Sequence, residues 1–533
     1  MVQASQSNSR YHGPAASLAD GWTLERITRP SRLAGANGMT TGKDGRLYVA
    51  LCAGSQIVAI DPDSAAIQTI SGIGGDVVGP DDLVFDDEGN LYITEITENR
   101  VRMLTPGGSS KVIAGDVRVA NPIAFHQGRV LTGELTFGGR ILELDRNGGA
   151  PRVIADNLPM VNAFEVGPDG KLYFPAQGAN EIWRVSLDGG EPEVVAKDLG
   201  GPDAVKFDAQ GFIVSTQVVT GDVLRIDPRT GAREVLANVG AGLDNLTFVG
   251  DRIFVSHIAG SVHEVLGGGK VRALAEKGLQ WPMGLAVQDG ELFIADGGFT
   301  YTLAPGGEPQ VAGMLFTPAF PGFTRGVAPA GAAGEWIVTT ANGDVVQWAP
   351  GRQESKPLAS GYDRLMGVAR GADGRVVFAE GPTGRVLAIE GGSVSEIATG
   401  LDRPSGVAIG SDGTAYVAED GAGRVVKIAG GHVETVIDGL MDPHGLAFAN
   451  GKLFVLDIGA KELIQVDPAI GTRLTIAAHL PIGAPHGVVA KPLGGVGDMC
   501  GPMIAFTGLA AASDGTLYVA GDGEGSVLAI SPV

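Results

Sequence analysis

Short apolar runs recur along the whole chain, each closed by a turn rich in Gly, Pro, Asp or Asn. One phrase repeats: a small or Pro-containing turn, an apolar strand, Asp-Gly, then a second apolar strand. Gly79-Pro80-Asp81-Asp82-Leu83-Val84-Phe85 with Leu91-Tyr92-Ile93-Thr94-Glu95 is one copy; Arg403-Pro404-Ser405-Gly406-Val407-Ala408 with Ala415-Tyr416-Val417-Ala418-Glu419 is another. A third strand (Arg424 to Ile428) and a fourth (Val433 to Ile437) complete that second unit. Twelve such units begin near Leu33, Ile73, Arg118, Leu158, Leu199, Val239, Leu279, Pro321, Gly361, Leu401, Leu440 and Leu480. Four short strands per period of roughly 40 residues read as propeller blades, and no segment has a convincing helical period. The predicted fold is all-β: two tandem six-bladed β-propellers.

The ends of the repeat predict how the rings close. Trp22 to Ile27 reads as an outer strand without a blade, and the last unit stops after its third strand, Ser526 to Ile530. The triple glycine Gly267-Gly268-Gly269 precedes a strand at Lys270 to Leu274, taken as the opening strand of the second ring. The expected division is a flexible tail over 1–20, a first propeller over 21–267 and a second over 268–533. The strand at 22–27 is then expected to pair with 261–266, and that at 270–274 with 526–530, because each pairing removes an open edge.

Composition sharpens this picture. The 84 glycines among 533 residues fit many tight turns. A net charge of −21 disfavours phosphate backbones and anionic membranes as partners. Cys52 and Cys500 form no disulfide framework or zinc cluster. The first twenty residues lack the apolar core of a signal peptide, and no uncharged apolar run reaches membrane-spanning length. The expected compartment is the cytoplasm.

Residues that start the innermost strand of each blade line a propeller's axis. In the first ring this column reads Asn37, Asp81, Asn121, Asn162, Asp203 and Asp244; in the second it reads Met283, Arg325, Met366, Ser405, His444 and Thr507. An unbroken Asn/Asp ring offers oxygens to a hard cation, calcium above all. The other reading is that these side chains cap the turn into each strand. A second layer ends the second strand of each blade: Leu51, Glu95, Glu134, Gln177, Gln217 and His257. Its polar members are candidates for substrate contact (Glu95, Gln177, Gln217) or proton transfer (Glu134, His257).

Several motifs are familiar. Asn162 to Tyr173, with its Gly167-Pro168-Asp169-Gly170 turn, resembles a blade of the gluconolactonase/regucalcin family, and Pro202-Asp203-Ala204 resembles that family's following blade. Leu243-Asp244-Asn245-Leu246 is similar to a hub turn of the paraoxonase lactonases. The resemblance implies a six-bladed propeller hydrolysing a small-molecule lactone or ester at an axial divalent metal, mostly calcium. It implies Asn162 and Asp203 as metal ligands and, more loosely, Asn37 and Asn121; Asp244 joins them through the hub column. Asp203 or His257 is expected to activate water. Where the family has a first-blade glutamate this chain has Asn37, and its third-blade Asn-Asp-Gly is Asn121-Pro122-Ile123 here.

In the second ring, Pro443-His444-Gly445 and Pro485-His486-Gly487 are similar to turns of the virginiamycin B lyase type of propeller. Glu380, Glu419 and Asp457 follow their hub turns there, so a His–carboxylate pair for acid–base work or metal binding stands beside the alternative of a scaffold ring. The insertion from Leu480 to Phe506 is long enough to lie over a funnel as a lid. Elimination by a lyase and a non-catalytic binding propeller are the rival functional classes.

Overall fold

Each blade is built from an inner strand, a well-buried second strand and two outer strands, and the buried second strands read as continuous apolar runs such as Leu47–Leu51 and Lys171–Ala176. The computed structural model describes residues 9–533. Its strands form twelve antiparallel sheets of four strands, one of which gains a short fifth strand. This is the all-β, double six-bladed propeller architecture that the repeat predicts. The Asp-Gly turns do their expected work. At Pro168-Asp169-Gly170, Gly170 takes φ +76°, Asp169 Oδ1 accepts the Lys171 N–H at 3.1 Å, and Gly167 N–H donates to Lys171 O at 2.8 Å.

The chain divides into two compact units. The first ring is Leu33–Lys277 with Val489–Asp498; the second is Gly278–Val488 and Met499–Val533 together with the N-terminal residues through Arg32. This corrects the expected closure. Lys270–Ala275 folds back antiparallel on Ser261–Gly267, so the triple glycine is a hairpin turn inside blade six, all three residues at positive φ. The first ring therefore owns all its strands. Trp22–Arg26 pairs instead with Ser526–Pro532, from Trp22↔Pro532 to Arg26↔Leu528, and closes the second ring. The edge argument was sound, but the hairpin satisfies the first ring locally and leaves the N-terminal strand for the last blade.

The tail expected to be flexible is also anchored where it is described; Met1 to Asn8 lie outside the described residues. Ser17–Leu18 pairs with Ala478 and Ala477. The Arg10 guanidinium donates to the carbonyls of Leu279 (3.2 Å), Gln280 (2.8 Å) and Asp522 (2.8 Å).

A bulge positions the hub. Pro80 pairs with Glu95 and Leu83 with Ile93, so Asp81 and Asp82 fall out of register between them. The same one-residue slip, two residues opposing one, holds Asn121-Pro122, Asp203-Ala204 and Asp244-Asn245, and in the second ring Arg325-Gly326, Met366-Gly367, Ser405-Gly406 and His444-Gly445. A bulge re-aims side chains away from the pleat; here it turns the hub residues out of the ladder.

Candidate functional site at the axis of the first propeller

Among the hub residues of the first ring, Asp81, Asp203 and Asp244 act on one another electrostatically, Asn37 reaches Asp244, and Asn162 reaches Asp203. Asp81, Asn121, Asn162 and Asp203 are buried, and Asn37 and Asp244 are partly so. Amide groups reach between the acids. Asn37 Nδ2 approaches Asp244 Oδ2 at 3.5 Å, and Gln177 Nε2 donates to Asp203 Oδ2 at 3.0 Å. Part of the capping reading also holds: Asn162 Oδ1 accepts the Ala163 N–H at 2.8 Å and Asn37 Oδ1 the Cys52 N–H at 3.4 Å.

The electrostatics are those of crowded carboxylates. Burial, then the Asp82 charge, pushes Asp81 up to about 8. Asp203 is held well above the usual carboxylate range by burial and then by repulsion from Asp81, and Asp244 by burial and then by repulsion from Asp203 and Asp81. One residue along the chain, Asp82 is raised to about 6 by burial, although Lys206 and the N–H groups of Leu83 (2.9 Å) and Ile123 (3.2 Å) oppose the shift. Asn245 Nδ2 also donates to Asp82 Oδ1 at 3.2 Å. Beyond it Glu165 is raised by burial, with Lys206 opposing and the Phe207 N–H donating at 3.0 Å. Asp82, Asn245, Glu165 and Lys206 were missed at the sequence level; the signal was present, since each lies one or three positions after a hub residue.

These residues have the oxygen chemistry a hard cation takes, while among the described residues the acidic and imidazole groups spaced closely enough to hold an ion are those of the second ring. The donors are all oxygen or amide, the acids repel one another, and Gln177 Oε1 is a buried acceptor with no hydrogen-bond partner. A positive charge relieves each of these at once.

The second layer has a different role from the one expected. Glu95 accepts the Val78 N–H at 2.6 Å and pairs with Arg100 and Arg102. Glu134 accepts the Arg118 N–H at 3.0 Å and pairs with Arg118 and Arg140, which hold it below its ordinary range against the cost of burial. Gln217 Oε1 accepts the Gly200 N–H at 2.9 Å while its Nε2 donates to Ser215. The second ring repeats this clasp: Asp296 on Gln280 N, Glu380 on Asp363 N, Glu419 on Asp402 N and Asp457 on Met441 N. These groups satisfy buried N–H donors in the loop leading into each inner strand. The structure commits Glu95, Glu134 and Gln217 to that task.

His257 is likewise engaged. Its Nδ1 accepts the Ala259 N–H at 3.1 Å, and burial lowers its pKa to about 3, so the ring is neutral and its basic lone pair is taken. Of the second layer, Gln177 alone is hydrogen-bonded to a hub acid.

The hub of the second ring is unlike the first. Arg325 is fully buried, its guanidinium donating to the carbonyls of Leu365, Ile504 (3.2 Å) and Pro502 (2.8 Å). The expected lid is divided between the two units. Pro502 and Ile504 hold Arg325 of the second ring, while in the first ring Lys491 Nζ donates to Gly75 O at 2.5 Å and Gly494 N–H to Glu98 Oε1 at 3.4 Å. Across the second hub, ligand atoms of Asp420, Asp442 and His444 all lie within 4.8 Å of one another, a spacing that could hold a metal ion.

The fold defines a double β-propeller protein in which the hub of the first ring is made of Asn and Asp alone. Residues 22–252, less than half of the chain, match the family model described as SMP-30/Gluconolactonase/LRE-like region. Among solved structures, a streptogramin B lyase is similar at 16% identity and TM-score 0.38, covering 51% of this chain and 94% of its own. The virginiamycin B lyase of Staphylococcus aureus is similar at 15% and 0.37, covering 52% and 96%. Among curated proteins none matches.

Proposed function

We propose that the first propeller is a divalent-cation-dependent hydrolase that opens a lactone or ester at its axis. The observation that carries this is the hub of Asn and Asp side chains, with Asp81, Asp203 and Asp244 all raised by burial and then by neighbouring carboxylates. The match of residues 22–252 to the SMP-30/gluconolactonase region supports it. The carboxylates of Asp81, Asp203 and Asp244 and the amides of Asn37, Asn121 and Asn162 would hold the ion. Calcium suits this all-oxygen set, and when bound it supplies Lewis acidity toward the carbonyl oxygen.

The chain's own groups do the rest. Gln177 holds the Asp203 carboxylate at 3.0 Å in a fixed orientation. With His257 neutral and engaged, Asp203 is the group that accepts the proton of the attacking water. Water adds to the carbonyl carbon, the ring C–O bond breaks, and the alkoxide takes the proton back to give a hydroxy acid. Incubation with a panel of γ- and δ-lactones, read by mass spectrometry, tests this. A product one water heavier than the substrate is expected; an unsaturated acid isobaric with the substrate marks elimination, and no product with any lactone or ester marks a binding propeller.

A further inference from the structure

We infer that the strap Val489–Asp498 is a positioning element of the first hub, taking that hub to be the cation site proposed above. The strap clamps the turn that holds the loops leading into Asp81 and Asn121, and so fixes where those two side chains stand. In sequence it lies between the strands Arg473–Ala478 and Leu509–Ala511, yet it packs with the first ring.

Three contacts seat it. Lys491 Nζ donates to Gly75 O at 2.5 Å, and Gly494 N–H donates to Glu98 Oε1 at 3.4 Å. Gly497 lies against Val119, whose Cγ2 stands 2.9 Å from the place of a Cβ on that glycine. A Cβ on Gly494 would stand 2.1 Å from Thr97 O. Only a residue without a side chain lets the strap backbone lie this close to the turn Ile96–Glu98.

That turn grips both hub loops. On one side Ile96 N–H donates to Gly79 O at 3.1 Å, and the Thr97 side chain fills the place a Cβ of Gly79 would take, two residues before Asp81. On the other side Asn99 accepts the Val117 N–H on its backbone oxygen at 3.0 Å and the Val119 N–H on Oδ1 at 2.7 Å, two residues before Asn121. Strap, turn, loop and hub residue form one continuous set of contacts.

The backbone of the second loop is strained. Val119 has φ +47°, a conformation that is costly for a β-branched residue and persists only where its surroundings over-determine it. Here they are the Asn99 side chain on its N–H, the Leu135 N–H on its carbonyl at 3.1 Å, and Gly497 against its side chain. Asn121 precedes Pro122 and is thereby confined to extended backbone, so the direction in which it enters the hub is set upstream, at Val119. All of these contacts lie on blades two and three, whereas Asp203 and Asp244 enter from blades five and six.

Hydrogen–deuterium exchange and Ca2+ calorimetry on the full-length protein test this. The variants are Gly494→Ala, which lifts the strap, and Lys491→Ala, an exposed change that removes one contact and keeps the test standing if Gly494→Ala does not fold. In metal-free protein, exchange should quicken at 76–80 and 117–121 and stay unchanged at 199–203 and 240–244. The Ca2+ Kd should rise by about ten- to a hundredfold in Gly494→Ala, and by less in Lys491→Ala. Unchanged exchange at 76–80 and 117–121, or a Kd equal to that of the unaltered protein, would overturn the inference. So would faster exchange throughout the first ring, which would make the strap a support of the whole fold. Unaltered protein that binds no Ca2+ would instead overturn the reading of the hub as a cation site, and the exchange pattern would still decide whether the strap positions the loops.

Discussion

The two rings share one blade plan and differ in a column of six short words. In the second ring every inner strand continues from its hub residue with Gly, then Leu or Val, then Ala: Gly284-Leu285-Ala286, Gly326-Val327-Ala328, Gly367-Val368-Ala369, Gly406-Val407-Ala408, Gly445-Leu446-Ala447 and Gly508-Leu509-Ala510. A Cβ on each glycine would meet the next hub carbonyl oxygen: Arg325 at 2.2 Å, Met366 at 2.5 Å, Ser405 at 2.8 Å, His444 at 2.0 Å, Thr507 at 2.6 Å and Met283 at 2.3 Å. The column closes on itself, and the inner strands line an axial cavity of about 180 Å³ that reaches Phe506. In the first ring the positions after the hub are Gly38, Asp82, Pro122, Ala163, Ala204 and Asn245, and no word repeats. The six glycines let the inner strands of the second ring approach closely; in the first ring these positions vary, and Asp82 and Asn245 add polar side chains beside the hub.

The largest effect should come from ring closure. A fragment over 278–533 lacks the strand that pairs with Ser526–Pro532 and the Arg10 anchor. It should aggregate, and adding a peptide over 9–32 should restore a soluble β-rich species by circular dichroism. A soluble, cooperatively unfolding fragment without that peptide would break the closure scheme.

Next comes the glycine column. Gly406→Ala forces a methyl to 2.0 Å from a backbone oxygen. It should cost at least about 3 kcal/mol, a fall in Tm of about 6–12 °C. At the matching place of the first ring Ala204 already carries a methyl, and Ala204→Gly should cost only about 1 kcal/mol. Equal losses in the two rings would erase the distinction.

The clasp separates structure from chemistry within the first ring. Glu134→Gln weakens the pairs to Arg118 and Arg140 and should lower stability by about 1–3 kcal/mol, with kcat/KM for any lactone substrate unchanged. His257→Asn should likewise leave the pH–rate profile in place, because a ring with pKa about 3 does not titrate near neutrality.

The smallest and most graded effect is in pH. Asp81 is raised from its ordinary value to about 8 and Asp82 to about 6. Folded carboxyls that bind protons more tightly than unfolded ones lose stability as pH rises from the unfolded pKa, near 4, through the folded one. Chelated protein should therefore lose Tm between about pH 4 and 8, and Asp81→Asn should flatten that slope.

Much of this was legible before any coordinates. The twelve-fold phrase fixes the sheets, because Asp-Gly turns and alternating apolar strands are local signals. The hub column was legible too, since a bulge recurs at one place in the phrase. Ring closure was not: which outer strand covers which edge depends on whether Gly267-Gly268-Gly269 reverses the chain, and a glycine run permits either outcome. The second layer misled because a carboxylate clasping a buried N–H has the same sequence appearance as one facing a substrate. His257 beside the polar ring gave no sign that its Nδ1 is spent on Ala259. The Gly-(Leu/Val)-Ala words lay in plain view, one position beyond the column being compared.

The central claim, that the polar axis of the first ring holds a cation that hydrolysis requires, is tested most directly by metal removal and return. The full-length protein would be stripped with a chelator, dialysed and titrated with Ca2+ by calorimetry while lactone hydrolysis is followed, in parallel with Asp203→Asn. The account predicts activity lost on stripping and regained in step with stoichiometric Ca2+ binding, with both binding and recovery lost in Asp203→Asn. Undiminished hydrolysis by the metal-free protein, or Ca2+ binding unchanged in Asp203→Asn, would contradict it.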